Sequence, residues 1–290
     1  MRILLIGATG QLGSDLIKNN PGHQIVAPKR SELDLTRGAM INAAIRDARA
    51  DLVINTAAFH NVPLCEEQPE QAFRVNCVAV RDLAQACRTQ NVWLMSFSTD
   101  YVFDGKKGAP YLEDDCPAPL QIYGITKLAG ERAALAVAPE HAIIVRTCGL
   151  YGETGAASKS GNFVDHRVMD GRRAAPLEIS SDQTVCPTSA NDLSRAVYAL
   201  LAYPSLTAGI YHLTNEGECT WFEFTKTIYE HLGFKTELRP VDRQGRSGTM
   251  RRPLYSVLAN LRARAIGITL PQWQDALKEY LDGKYRKQGA

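Results

Sequence analysis

Short, nearly continuous apolar runs recur through the first half of the chain, at residues 2–6, 24–27, 52–55, 92–97 and 142–147. Unbroken rather than alternating apolar character is what a strand covered on both faces requires, so these runs predict buried parallel strands. Between them, helical spacing predicts helices at 12–19, 38–49, 70–89 and 122–137. The third has the clearest period, with Phe73, Val80, Leu83, Ala84 and Cys87 on one side. Such alternation predicts an α/β fold, a Rossmann-type doubly wound parallel sheet. Beyond Thr147 the spacing loosens. Helices are expected at 190–202, 220–232 and 271–281, a short strand at 209–213, and Gly/Ser-rich loops at 151–162 and 242–252. The expected division is one domain over 1–150, to which part of 172–205 returns, and a smaller mixed α/β domain over 151–290.

The 290 residues suffice for two such units, and 45% hydrophobic with 22% charged residues is a globular balance. Lys plus Arg total 33 against 31 Asp plus Glu, a net charge of +2. That is too little to draw the whole surface to nucleic acid or to an anionic membrane, so neither is expected as a partner and any anion must be held locally. Seven scattered cysteines with no CxxC argue against a disulfide framework and a cysteine zinc site, and point to a reducing compartment. The six histidines lack metal-ligand spacing, so no metal is expected. The N-terminal apolar run is too short for a signal peptide and nothing downstream approaches a membrane span, which makes the cytoplasm the expected location. HExxH, GxSxG and P-loop motifs are absent, which disfavours zinc-hydrolase and serine-hydrolase chemistry.

Directly after the first predicted strand stands Gly7-Ala8-Thr9-Gly10-Gln11-Leu12-Gly13, a GxxGxxG arrangement that opens a helix. Glycines there let the backbone turn sharply and approach a pyrophosphate, which the unpaired N–H groups of the helix start would bind. The same pattern also serves a tight turn with close helix packing. At the end of the second strand, Pro28-Lys29-Arg30-Ser31 carries no acid for a ribose 2′-hydroxyl. Lys29 and Arg30 suit a 2′-phosphate, so NADPH is the expected cofactor, with NADH the alternative.

Tyr123 and Lys127 stand at i and i+4 on the fourth predicted helix and share a face. An ammonium one turn away is expected to pull the phenol toward a working pKa, so that Tyr123 protonates a carbonyl oxygen as hydride arrives at carbon. Thr99, at the carboxyl end of the neighbouring strand, would hold that oxygen, and Lys127 would also reach a nicotinamide ribose. Ligands of open α/β sheets bind at these carboxyl ends, where all these elements converge. His60, after the third strand, is a further candidate for substrate contact.

In these motifs the chain resembles the extended short-chain dehydrogenase/reductases. The resemblance runs through GATGQLG at 7–13, SELDLT at 31–36, VINTAAF at 53–59, STDYVFDG at 98–105, IYGITKLAGE at 122–131, GNF at 161–163 and RRPLYSVL after residue 250. It implies catalysis by Thr99, Tyr123 and Lys127. It implies cofactor contacts at Gly7, Thr9, Gly10, Gln11, Leu12, Gly13, Arg30, Asp34, Leu35, Ala57, Ala58 and Lys127. Asp100 and Tyr101 would lie beside a sugar ring, and Asn162, Trp221 and Arg252 on the sugar-nucleotide side, where a guanidinium suits a diphosphate. The implied activity is NADPH-dependent reduction of the C4 ketone of a dTDP-4-keto-6-deoxyhexose, with dTDP-4-dehydro-L-rhamnose the first candidate. A homodimer is a further expectation. Two other readings stay open: a sugar-nucleotide epimerase or dehydratase of the same superfamily, and a non-catalytic, reductase-like regulatory subunit. The resemblance departs at Gly149, where similar chains carry Trp, at Phe59-His60-Asn61-Val62-Pro63, and at Val185.

Overall fold

Each expected apolar run becomes a parallel strand; the inner strands are buried on both faces, while the run at Gln24–Val26 lies at the sheet's edge and is partly exposed. A computed structural model describes residues 1–154, 161–173, 175–248 and 250–286. Strand β1 (Arg2–Ile6) leads into helix α1 (Gln11–Lys18), then β2 (Gln24–Val26), α2 (Gly38–Ala48) and β3 (Leu52–Asn55). Leu4 and Ile6 of β1 point into one buried cluster, and Ile3 and Leu5 into another on the opposite face. A strand packed on both sides has no position to spare for water.

After β3 come α3 (Val62–Glu67), α4 (Pro69–Phe73), a π-helical turn at Arg74–Val78 and α5 (Ala79–Thr89). The single helix expected at 70–89 is therefore interrupted. The π turn inserts an extra residue and rotates what precedes it, so Phe73 is exposed instead of sharing the apolar face of Val80 and Leu83. Next are β4 (Trp93–Thr99), a 3₁₀ turn at Asp100–Val102, α6 (Ile122–Val137) and β5 (Ala142–Thr147).

The second half supplies α7 (Phe163–Arg173), β6 (Leu177–Ser180), β7 (Thr184–Val185), α8 (Ala190–Leu201), β8 (Gly209–His212), β9 (Cys219–Thr220) and α9 (Trp221–Leu232). It ends in β10 (Leu238–Val241), β11 (Arg246–Ser247), β12 (Met250–Arg251), α10 (Leu261–Ala265) and α11 (Trp273–Leu281). The main sheet runs β2-β1-β3-β4-β5-β8, all parallel. The short strand expected at 209–213 is its sixth member, and α8 covers the same face as α1. The order reverses between β1 and β3, which opens a crevice at their carboxyl ends.

The remaining segments form a cap with its own core, in which Phe224, Tyr151, Trp273 and Leu277 are buried. The loop expected at 242–252 is instead partly paired, β11 running antiparallel to β12. Of the loop expected at 151–162, residues 155–160 lie outside those described. Among the described residues no helix is long and apolar enough to cross a membrane.

Candidate active site

Helix α1 begins without a side-chain cap: Gly10 is its N-cap, and among the described residues no side chain accepts from the first turn. Its leading N–H groups therefore face outward, the arrangement an anion needs. The approach of β1 to α1 is as close as backbone allows. A Cβ on Gly13 would lie 2.2 Å from the Gly7 carbonyl oxygen, and Gly7 itself has φ +84. The loop is thus a cradle that only glycine can build, fitting a dinucleotide pyrophosphate.

The carboxyl end of β4 is the second wall. Thr99 caps the 3₁₀ turn, its Oγ1 accepting from the Tyr101 N–H at 3.2 Å and donating to Asp100 Oδ1 at 3.0 Å. Helix α6 is the third. Its first turn is capped by Gln121, whose Oε1 accepts from the Gly124 N–H at 2.6 Å. Asn76, in the π turn, donates to the Phe59 carbonyl at 3.0 Å and to Thr126 Oγ1 at 3.1 Å, and accepts from the Phe59 N–H at 2.8 Å. One buried amide so ties the loop after β3 to the helix that carries Tyr123 and Lys127. Behind Lys127, Glu131 and Arg146 form a fully buried pair at 2.7 Å that pins α6 to β5.

These walls enclose a cavity of 640 Å³. It is lined by Gly10, Gln11, Leu12 and Ala58 on the expected cofactor side, by Thr99, Tyr123 and Lys127, and by Asp100, Tyr101, Asn162, Trp221 and Arg252 on the outer side. Gln11 Oε1, Ser98 Oγ, Thr147 Oγ1, Arg167 Nε and Arg252 Nε are buried with no hydrogen-bond partner among the described residues, and all five belong to residues lining this one space. Buried polar atoms are ordinarily satisfied, so five orphans around one cavity mark a place built for a polar ligand.

Electrostatics correct one expectation. Lys127 does not bring the Tyr123 phenol toward neutrality. Burial, with the charge of Asp100 next, holds that phenol well above its ordinary value. Burial likewise lowers the Lys127 ammonium to about 8, Glu131 partly opposing it. Desolvation thus outweighs the single turn of helix between the two groups. Burial also raises the Asp100 carboxyl, against hydrogen bonds from Ser256, Cys148 and Thr99, and raises Tyr101 to about 12.

Other expected residues stand elsewhere. Gly7 and Gly13 shape the loop from behind. Thr9, Lys29 and Arg30 are exposed, the latter two following β2. Leu35 is buried in the sheet's core and leaves only backbone to offer a ligand. The Asp34 carboxylate accepts from the Thr36 N–H and hydroxyl at 2.9 and 2.8 Å. Ala57 is half-buried beside the loop. Asn162 does line the cavity, but its amide is spent on the Gly152 carbonyl at 2.8 Å and the Tyr280 hydroxyl at 2.9 Å.

Sequence reasoning missed α7, which brings His166 and Arg167 to the cavity. Arg167 lies over the Phe163 ring, 5.1 Å from its centroid, and pairs with Asp170 at 2.6 Å. The signal was the spacing of Val164 and Val168 after GNF. Gly149 has φ +53, and a Cβ there would sit 3.1 Å from Trp221 Cη2. The Trp221 ring therefore already occupies the space into which a side chain at 149 would grow.

The sequence profile of the RmlD substrate binding domain family matches residues 1–286. The chain belongs to that family. Within it, the chain is 38% identical over 285 residues to the dTDP-4-dehydrorhamnose reductase of Streptomyces griseus, covering 96% of this chain and 92% of that one. It is 34% identical over 282 residues to the dTDP-4-keto-6-deoxy-D-glucose reductase of Streptomyces niveus, covering 96% of each. Among solved structures, the dTDP-4-dehydrorhamnose reductase of Bacillus anthracis in complex with NADP superimposes with a TM-score of 0.91 at 31% identity, covering 97% of this chain and 99% of that one. Both the family and the α/β architecture expected from the motifs are those found.

Proposed function

We propose that this RmlD-family chain reduces the C4 ketone of a dTDP-4-keto-6-deoxyhexose with NADPH, dTDP-4-dehydro-L-rhamnose to dTDP-L-rhamnose being the foremost case. The observation that carries the reading is the convergence of Thr99, Tyr123 and Lys127 on the same cavity as the uncapped start of α1. The names of the relatives support the substrate class.

Residues Gly10, Gln11 and Leu12 would hold the pyrophosphate of the dinucleotide, and Lys29 and Arg30 its 2′-phosphate. NADPH, when bound, supplies the hydride. The chain's own part is the proton. A phenol kept protonated by burial is a fit donor for reduction, because the alkoxide formed at C4 is far more basic than any phenolate. Tyr123 gives its proton to that oxygen, and the Lys127 ammonium one turn away stabilises the phenolate left behind. Thr99 turns its hydroxyl to the same oxygen and fixes it against the phenol, a second donor where charge develops. Trp221 offers a flat apolar face to the sugar nucleotide, and Arg252, with an unpartnered Nε, a guanidinium to its diphosphate.

In this reading residues 1–150 bind the dinucleotide and most of 151–290 bind the sugar nucleotide. The expected setting is the cytoplasm, where cysteines such as the free Cys116 stay reduced, and the expected state is a homodimer, which sedimentation reads directly. The test of function is loss of NADPH absorbance with dTDP-4-dehydro-L-rhamnose, with NADH in parallel. Turnover with NADPH is expected. Folded protein that consumes neither cofactor defeats the assignment.

A further inference from the structure

Behind Thr99 lies a hydrogen-bond chain that the reaction, as described, leaves unused. Ser256, fully buried in the segment after β12, donates from Oγ to Asp100 Oδ2 at 2.6 Å, across 156 residues of sequence. The other carboxylate oxygen takes the Thr99 hydroxyl at 3.0 Å. Thr99 Oγ1 in turn accepts from the Tyr101 N–H at 3.2 Å.

A hydroxyl carries one proton. While that proton is on Asp100, Thr99 has none to give to a ketone. Whether Thr99 releases it depends on how well the carboxylate is satisfied by its other donors, and Ser256 is the closest of them. We infer that Ser256 is a positioning residue of the reduction: by satisfying Asp100 it lets the Thr99 hydroxyl turn from the carboxylate to the ketone oxygen. The inference rests on the ketone-reductase reading above.

The ionisable groups around Asp100 come from several elements. Tyr101 follows it on the 3₁₀ turn, Tyr123 faces it from α6, and the Cys148 thiol after β5 donates to it with Cys186 behind. Arg252 acts on Tyr101, and Cys65 on Tyr123. The pH sign follows from the single proton. A protonated Asp100 can itself donate to Thr99 and no longer competes for its proton, so Ser256 matters least at low pH. An ionised Asp100 competes fully, and there the loss of Ser256 costs most.

The test compares full-length wild type, Ser256→Ala and Ser256→Thr with NADPH and dTDP-4-dehydro-L-rhamnose across the whole pH range in which the wild type stays folded and active. NADPH binding by fluorescence and thermal unfolding serve as controls of folding. For Ser256→Ala, kcat is expected to fall about tenfold at the alkaline end, roughly one hydrogen bond. That deficit should narrow as pH falls, with KM for NADPH unchanged and Ser256→Thr recovering most of the rate. A deficit of one size at every pH, no deficit, or no recovery by Thr overturns the inference while leaving the reductase reading intact. A wild type without turnover overturns both. Should Ser256→Ala fail to fold, Ser256→Cys, a weaker donor of similar size, carries the test: its kcat deficit should likewise grow with pH, and a wild-type rate or a deficit independent of pH refutes the inference.

Discussion

Tyr123 and Lys127 show how far spacing carries and where burial takes over. Their placement on one helical face was readable from four residues of separation, because that geometry is local. Their acidities were not, because they depend first on burial and then on neighbouring charge, Asp100 from the turn after β4 for Tyr123 and Glu131 for Lys127. The consequences are measurable. With Lys127 at about 8, kcat/KM should fall above about pH 8 as the ammonium loses its charge, and a profile flat to pH 10 would contradict this. The sign for stability is opposite to that of an ion pair. The folded value lies below the unfolded one, so the buried charge opposes folding in full below about pH 8, and the penalty fades as pH rises toward the ordinary lysine range. Lys127→Met should therefore abolish reduction yet raise the denaturation midpoint at pH 7, a gain in unfolding free energy of up to about 3 kcal/mol. A lowered midpoint would show that the ammonium is stabilising. At the other end of the crevice, Lys29→Asp should raise KM for NADPH about tenfold while leaving NADH nearly unaffected, since only a 2′-phosphate senses that charge. An unchanged NADPH/NADH ratio would remove Lys29 from the cofactor site.

Elements were legible in proportion to how locally they are encoded. Buried strands announce themselves by unbroken apolar runs, and the helix at Ile122–Val137 has the bounds its spacing predicts. The π turn at Arg74–Val78 escaped, because its reason is the hydrogen bonding of Asn76 to distant Phe59 and Thr126, and with it the exposure of Phe73. Strands β6 and β10 escaped too. Each is four residues long and parallel to a partner some sixty positions away, so neither has a pattern of its own. Two elements can be challenged directly. Gly13→Ala forces a methyl group against the Gly7 carbonyl and should abolish NADPH binding measured by fluorescence titration; retained affinity would mean that the loop is not the pyrophosphate cradle. Arg146→Met leaves Glu131 buried without its partner and should cost about 3–5 kcal/mol of stability in denaturant titration.

At the scale of the molecule, the cap and the sheet meet over the cavity, and residues far apart in sequence fit one another there. Gly149 at the sheet's edge leaves room for Trp221 from the cap, which accounts for the absence of a large side chain there. That compensation could not be read from either residue alone, since 72 positions of sequence separate them. The proposed division into a cofactor side and a sugar-nucleotide side makes the reaction's atoms traceable. The decisive measurement is the fate of the hydride: NADPH carrying deuterium at the transferring position is turned over with dTDP-4-dehydro-L-rhamnose, and the product is examined by mass spectrometry and NMR. The account predicts one deuterium at C4 of the sugar with wild type and none formed by Tyr123→Phe. Label at any other carbon, or labelled product made equally fast without the phenol, would contradict it.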